Sequence, residues 1–303
     1  MANLQTNLAG LEFKNPFILA SGTCGYGREL AQVYDLALLG GISVKGTTLN
    51  PRSGNPPPRI AETPAGMLNS VGLQNPGIDQ VLATELPFLR QYDLTVLLNI
   101  AGNDQEDYRQ IAEKLADSQD LDAVELNISC PNVKAGGMAF GTDPQVAAEV
   151  TAIVRQATKL PLIVKLSPNV ANIAEIAQAV EAAGADAVSL INTLQGMAID
   201  LKARKPILAN ILGGLSGPAV KPVALRMVWQ VSRAVKIPVI GMGGIASAED
   251  ALEFMLAGAS AVQVGSAPFR NPLLMPQMIE DMAAWLDAEG VKEVTELIGA
   301  LRV

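Results

Sequence analysis

KLPLIVKLSPNVANIAEIAQAVEAAGADAVSLIN, residues 159–192, decides the fold. Its apolar, β-branched run Leu162–Leu166 is too short for a helix and reads as a buried strand. A stretch of helical periodicity follows from about Val170 to Ala183 and stops at Gly184, a residue that accepts the left-handed backbone just past a helix end. A second short run, Ala187–Asn192, then begins. The unit is strand, helix, strand, and it echoes further on. Lys-Ile-Pro at 236–238 repeats Lys-Leu-Pro at 159–161, and Gly-Ala-Ser-Ala-Val at 258–262 repeats Gly-Ala-Asp-Ala-Val at 184–188. Working outward, the same signal marks Pro16–Ala20, Ile42–Lys45, Thr95–Ile100, Ala123–Ile128, Pro238–Gly241 and Ala261–Gly265.

Eight candidate strands alternate with helices. Asn103–Glu106 has capping-box spacing, and Asp143-Pro144 places a cap residue before a first-turn proline. Two further helices are expected over about 218–235 and from Ser247 to Gly258. The pattern predicts an α/β protein, a (β/α)8 TIM barrel, with residues 1–303 forming a single domain that carries loop insertions over its C-terminal face. A doubly wound open sheet is the rival. It usually carries GxGxxG after its first strand, where this chain has Ser21-Gly-Thr-Cys-Gly25. The proline-rich stretch Pro51–Pro64 follows only the second strand and reads as a loop excursion, not a domain boundary.

The 303 residues, 49% of them hydrophobic, suffice for one large core. A net charge of −8 with no Lys/Arg cluster argues against a nucleic-acid partner. Two cysteines cannot hold an iron–sulfur cluster, and the absence of histidine removes the commonest metal ligand and general base, so no metal site is expected. The start MANLQTNLAG lacks a signal-peptide pattern, and no apolar run is long enough to span a membrane, so a cytoplasmic location is expected.

Barrel active sites are built at the C-terminal strand ends. Those ends here are Ser21, Lys45, Asn99, Asn127, Lys165 and Asn192, then glycine turns at Gly243-Gly244 and Gly265-Ser266. A buried Lys or Asn is costly unless paired, and any one of these is as readily a satisfied core polar as a functional group. The recurrence of the same position around the ring favours a site. Glycine turns after strands seven and eight are a phosphate-binding place in this fold. Cys130 sits among Asn127-Ile-Ser-Cys-Pro-Asn132, before a loop with Gly136, Gly137 and Gly141 that suits a movable lid. Cys24 lacks such a cluster and reads as structural.

These segments, with Asn69-Ser-Val-Gly-Leu-Gln-Asn-Pro-Gly77, Gly213-Gly-Leu-Ser-Gly-Pro218 and Gly241-Met-Gly-Gly244, resemble the class 1 dihydroorotate dehydrogenases from about Leu8 to Ala284. Class 2 members carry an N-terminal extension and a serine base. Here there is no extension, and Cys130 stands at the base position. Gly72–Gly77 looks like the B, NAD-linked catalytic subunit. The resemblance implies oxidation of dihydroorotate to orotate in pyrimidine biosynthesis, with FMN taking the hydride and Cys130 the C5 proton. It implies a partner subunit carrying FAD and an iron–sulfur cluster, two copies of each chain forming a heterotetramer. FMN would be held by Ser21, Lys45, Gly46, Asn99, Asn127, Lys165, Ile191, Gly217, Gly243, Gly244, Gly265 and Ser266. Substrate would be held by Lys45, Asn69, Ser70, Val71, Gly72, Leu73, Asn127, Asn132, Asn192 and Thr193. The alternatives are a class 1A homodimer that reduces fumarate, an FMN barrel acting on a different pyrimidine, and a non-enzymatic metabolite-binding barrel.

Overall fold

The computed structural model describes residues 2–116, 118–129 and 137–303, with side chains omitted for 137–139. All eight expected strands form, and they close one parallel barrel in sequence order. They are β1 (Phe17–Leu19), β2 (Gly41–Thr47), β3 (Thr95–Ile100), β4 (Ala123–Asn127), β5 (Leu162–Lys165), β6 (Ala187–Leu190), β7 (Val239–Met242) and β8 (Ala261–Val264). β8 pairs back onto β1 through Val262, Gln263 and Val264, which completes the ring. The open-sheet rival is thereby excluded.

Helices on the outside cover the strands. The principal ones are Gln105–Leu115, Pro144–Ala157, Ile173–Ala182, Lys221–Ser232, Ala248–Leu256 and Leu274–Glu289. Three begin where capping chemistry puts them. Asp143 accepts from the amides of Gln145 and Val146 at 2.8 and 3.1 Å, Ser247 accepts from Asp250 N at 3.2 Å, and Asn172 accepts from Ala174 N at 3.2 Å. Two expected boundaries shift. The cap at 103–106 is Asp104, not Asn103: Asp104 accepts from Asp107 N at 2.8 Å, and Asn103 instead donates to the Asp107 carboxylate. The helix expected over 218–235 opens with a 3-10 turn at Pro218–Val220 and ends at Ser232.

Inside the barrel, alternate strands stack side chains in rings of four, as parallel barrels do. At the bottom Ile18, Leu97, Ile163 and Ile240 come from odd-numbered strands and pack with Ala123, Ala187 and Ala261. Leu8 and Phe13, from the N-terminal hairpin Thr6–Leu8/Leu11–Phe13, join this cluster and stopper the lower end. The next ring is polar: Ser43, Glu125, Ser189 and Gln263, one from each even strand, all fully buried. Above it the interior opens upward. Packing therefore seals one end of the barrel and leaves the other available.

That upper end carries the insertions. The excursion after β2 and the segment after β6 meet in a four-stranded antiparallel sheet, ordered Leu194–Met197, Leu212–Ser216, Gly66–Asn69, Ile60–Thr63. The stretch read only as a loop excursion thus ends in a strand. Short runs containing Gly66, Gly196, Gly213 and Gly214 conceal the pairing, because glycine lacks the β-branched signal. Small residues are required: a Cβ on Gly214 would lie 1.9 Å from Thr193 Oγ1.

Candidate active site at the barrel mouth

A cleft of ≈ 1270 Å³, counting its open mouth, lies between the strand ends and the antiparallel sheet. Small-molecule sites typically occupy about 300–1000 Å³, so a drug-sized ligand or larger fits. Its floor and walls include Ser21, Lys45, Gly46, Asn99, Asn127, Lys165, Ile191, Asn192, Thr193, Gly217, Gly243, Gly244, Gly265 and Ser266. The inserted segment adds Asn69, Val71, Gly72 and Leu73. Residues at the ends of all eight strands and from two insertions are thus brought to one place. Ser70 is not among the lining residues. It is fully buried, with its amide on Arg59 O at 2.8 Å and its carbonyl accepting from Asn55 at 2.9 Å. Cys130 and Asn132 lie outside the described residues.

The polar groups form one network. Asn192 Nδ2 donates to Ser129 Oγ at 2.7 Å, and Ser129 Oγ donates to Asn127 Oδ1 at 2.9 Å. Asn127 Nδ2 donates to Asn99 Oδ1 at 3.2 Å, and Asn99 Nδ2 to Glu125 Oε2 at 2.6 Å. The Tyr108 hydroxyl, on the helix after β3, donates to Asn127 O at 2.7 Å and fixes the end of β4. Lys165 Nζ donates to Ser21 Oγ at 3.2 Å and lies 3.9 Å from Glu125 Oε2. Asn69 Nδ2 reaches Gly214 O at 3.3 Å and ties the two insertions together.

Glu125, Ser129 and Gln263 were missed in the sequence reading. Glu125 stands two residues before Asn127 on β4, so both side chains point inward. A carboxylate in the middle of the apolar run Ala-Val-Glu-Leu-Asn was the available signal. Burial pushes its carboxyl up, but the Lys165 ammonium and hydrogen bonds from Asn99, Ser43 and Gln263 outweigh this and hold it below the usual carboxylate range. Cys24 behaves as expected of a structural thiol: it is buried, points at Ser43 O, and burial pushes it up to about 12.

The cleft fits a phosphorylated, planar cofactor such as FMN. At one end the turn Gly243-Gly244 runs at φ +122° and +77°, and a Cβ on Gly244 would sit 2.7 Å from Lys221 N. The chain here is bare backbone pressed against a helix start, a form that lets amides approach a phosphate. In the middle, Gly46 leaves no room for a side chain beside Asn99, since its Cβ would lie 2.8 Å from Asn99 Oδ1. Asn99, Asn127 and the Lys165 cation offer donors to a polar ring edge, and Ile191, Leu73 and Leu215 offer apolar walls. Among the described residues no cluster of His, Cys, Asp and Glu is arranged to hold a metal. None of the helices described is long and apolar enough to cross a membrane.

A family model described as dihydroorotate dehydrogenase matches residues 3–286. The chain is 60% identical over 296 residues to a protein of Bacillus pumilus named dihydroorotate dehydrogenase B (NAD(+)), catalytic subunit, covering 98% of this chain and 96% of that one. It is 58% identical over 299 residues to proteins of the same name from Bacillus cereus and Bacillus mycoides, covering 99% of this chain and 97% of each of those.

Proposed function

The chain belongs to the dihydroorotate dehydrogenase family, and from that premise we propose that it oxidises dihydroorotate to orotate as the catalytic subunit of a B-type, NAD-linked enzyme. Residues 1–303 act as one FMN-binding domain. Electrons leave through a partner subunit that carries FAD and an iron–sulfur cluster, in a cytoplasmic heterotetramer. The observation that supports this most is the single cleft in which Lys165, Asn99, Asn127 and Asn192 converge beside a glycine turn shaped for phosphate.

Bound FMN supplies the hydride acceptor, at its N5. The protein does the rest. Gly243-Gly244 and Gly265-Ser266 would hold its phosphate, and Lys165 would offer a cation to its ring. The dihydroorotate ring is an anion edged with amide donors and acceptors. Lys45 meets its charge, and Asn69, Asn127, Asn132 and Asn192 match its edges, because an asparagine amide both donates and accepts. Leu73 and Thr193 bound the same space. Cys130 takes the C5 proton as thiolate. Ser129, the residue before it in sequence, is held by Asn127 and Asn192.

The experiment is a visible spectrum of the purified, FMN-loaded chain under anaerobic conditions. Dihydroorotate is expected to bleach the flavin, and dihydrouracil is not. A chain that takes up FMN but is bleached only by dihydrouracil refutes the substrate, and one that never takes up FMN refutes the flavin reading. Fumarate turnover by the isolated chain would overturn the B-type assignment.

A further inference from the structure

Among the described residues, Glu125 and Lys165 are the only charged side chains in the buried interior. Lys165 lines the cleft, and Glu125 lies in the polar ring beneath it. Every other member of the polar ring donates to Glu125. Ser43 Oγ lies 2.8 Å from Oε2, while Ser189 Oγ and Gln263 Nε2 lie 2.9 and 2.6 Å from Oε1. Asn99 adds a fourth bond from the ring above, at 2.6 Å. Four donated bonds suit an ionised carboxylate, which only accepts. Three strands and the layer above are thus spent on one acid that does not itself line the cleft.

A neutral amide would have held such a ring together at less cost, since a buried charge is expensive unless paired. The charge has a partner in Lys165, whose Nζ stands 3.9 Å from Oε2 and is itself only 6% exposed. An ammonium this deep tends to shed its proton unless an anion is nearby. Of the neighbouring ionisable groups among the described residues, Lys45 is a base and not an acid, and Cys24, pushed up to about 12 by burial, is neutral at assay pH. Neither substitutes for the carboxylate.

We propose that Glu125 is a positioning residue for flavin chemistry: it is the fixed counter-charge that keeps Lys165 ionised at the cleft floor, and through that cation it raises the reduction potential of the bound flavin. The potential half of this statement rests on the FMN reading above; the charge half does not.

The test has two arms. In the apoprotein with 13C-labelled lysine, the Lys165 signal is identified by its loss in Lys165→Met. It is expected to lose its ammonium character at lower pH in Glu125→Gln than in the wild type, because removing the anion leaves a buried cation unpaired. In the FMN-loaded protein, Glu125→Gln and Lys165→Met are each expected to reduce the reduced-to-oxidised ratio about tenfold at fixed potential, which is about 30 mV for a two-electron couple. The double variant is expected to fall no further than Lys165→Met alone. Ser189→Ala, which removes one hydrogen bond to the same carboxylate but no charge, is expected to leave the potential unchanged. A wild-type Lys165 that is already neutral at pH 8 overturns the proposal, as does an unchanged titration in Glu125→Gln. So do additive drops in potential, or a potential that rises in Glu125→Gln. If Glu125→Gln does not fold, Glu125→Asp is expected to shift the lysine titration less but in the same direction, and an unshifted titration overturns the proposal. Failure of the wild-type chain to bind FMN sinks the flavin reading alone, and the apoprotein titration still decides the charge claim.

Discussion

Replacing Gly244 by alanine separates two things that a tight turn asks of glycine. Gly244 sits at φ +77°, and Gly290, at the end of helix Leu274–Glu289, sits at φ +70°. Either alanine must adopt the left-handed conformation, at about 1–2 kcal/mol. There the likeness ends. Nothing lies within 4 Å of a Cβ on Gly290, whereas one on Gly244 meets Lys221 N and Cβ at 2.7 Å and Gly217 O at 2.9 Å. Those atoms resist movement. Lys221 opens the helix Lys221–Ser232 and is paired with Asp250 and Glu253. Overpacking of this kind costs a further ~1–3 kcal/mol. Gly290→Ala is therefore expected to lose about 1–2 kcal/mol and Gly244→Ala about 2–5 kcal/mol, read from urea unfolding of the apoproteins. Only the second should disturb the cofactor. Displacing the turn by a few tenths of an ångström forfeits at least one charge-assisted hydrogen bond to phosphate, about 1.5–3 kcal/mol, so FMN affinity should fall roughly tenfold or more. Fluorescence quenching on FMN binding measures this. If both variants lose equal stability and both keep wild-type affinity, the Gly243-Gly244 turn is not the phosphate site and the cleft has been oriented wrongly.

Three further outcomes are expected. Cys130→Ser is expected to retain FMN and dihydroorotate but to slow anaerobic flavin reduction by at least about 100-fold at neutral pH, since a hydroxyl ionises far less readily than a thiol; wild-type rates across pH would remove the base assignment. Cys24 has its thiol raised from 9.0 to about 12, so both states hold the proton below pH 9 and only the unfolded chain loses it between 9 and 12. Stability should therefore decline with rising pH in that window, by up to about 1.4 kcal/mol per unit from this group, and Cys24→Ala should flatten the decline; identical alkaline unfolding curves would contradict it. Asp143→Ala removes the acceptor for the amides of Gln145 and Val146 and is expected to cost about 1 kcal/mol in urea unfolding.

The barrel was legible because each strand is a short apolar run buried on both faces, and periodicity reports that directly. The strand-end polar residues were legible for the same reason, since Lys45, Asn99, Asn127 and Lys165 interrupt those runs. What periodicity does not report is which interruptions face each other. The antiparallel sheet over the mouth joins Gly66–Asn69 to Leu212–Ser216, segments separated in sequence by four of the eight barrel strands, and its glycines carry no strand propensity.

Glu125 shows the same limit at the scale of one side chain. Its meaning lies in the ring it completes with Ser43, Ser189 and Gln263, and the ring exists only after eight strands have closed with a common stagger. Closure of that kind also ranks the polar residues by depth. Each step to the next inward position on a strand rises two rings, because the ring between is built by the neighbouring strands. Glu125 therefore lies below Asn127 on β4, while Lys165 on β5 stands in the ring between them. The order from core to cleft is thus acid, base, then amide. A negative charge that develops in the cleft meets the lysine first and the glutamate only through it. The reverse order, with the acid above the base, would repel both a reduced flavin and an anionic substrate. Swapping the pair, Glu125→Lys with Lys165→Glu, keeps the net charge and reverses that order, and it should abolish flavin reduction even where the chain still folds. Reduction at the wild-type rate in the swapped protein would show that depth order does not matter and that net charge alone sets the chemistry.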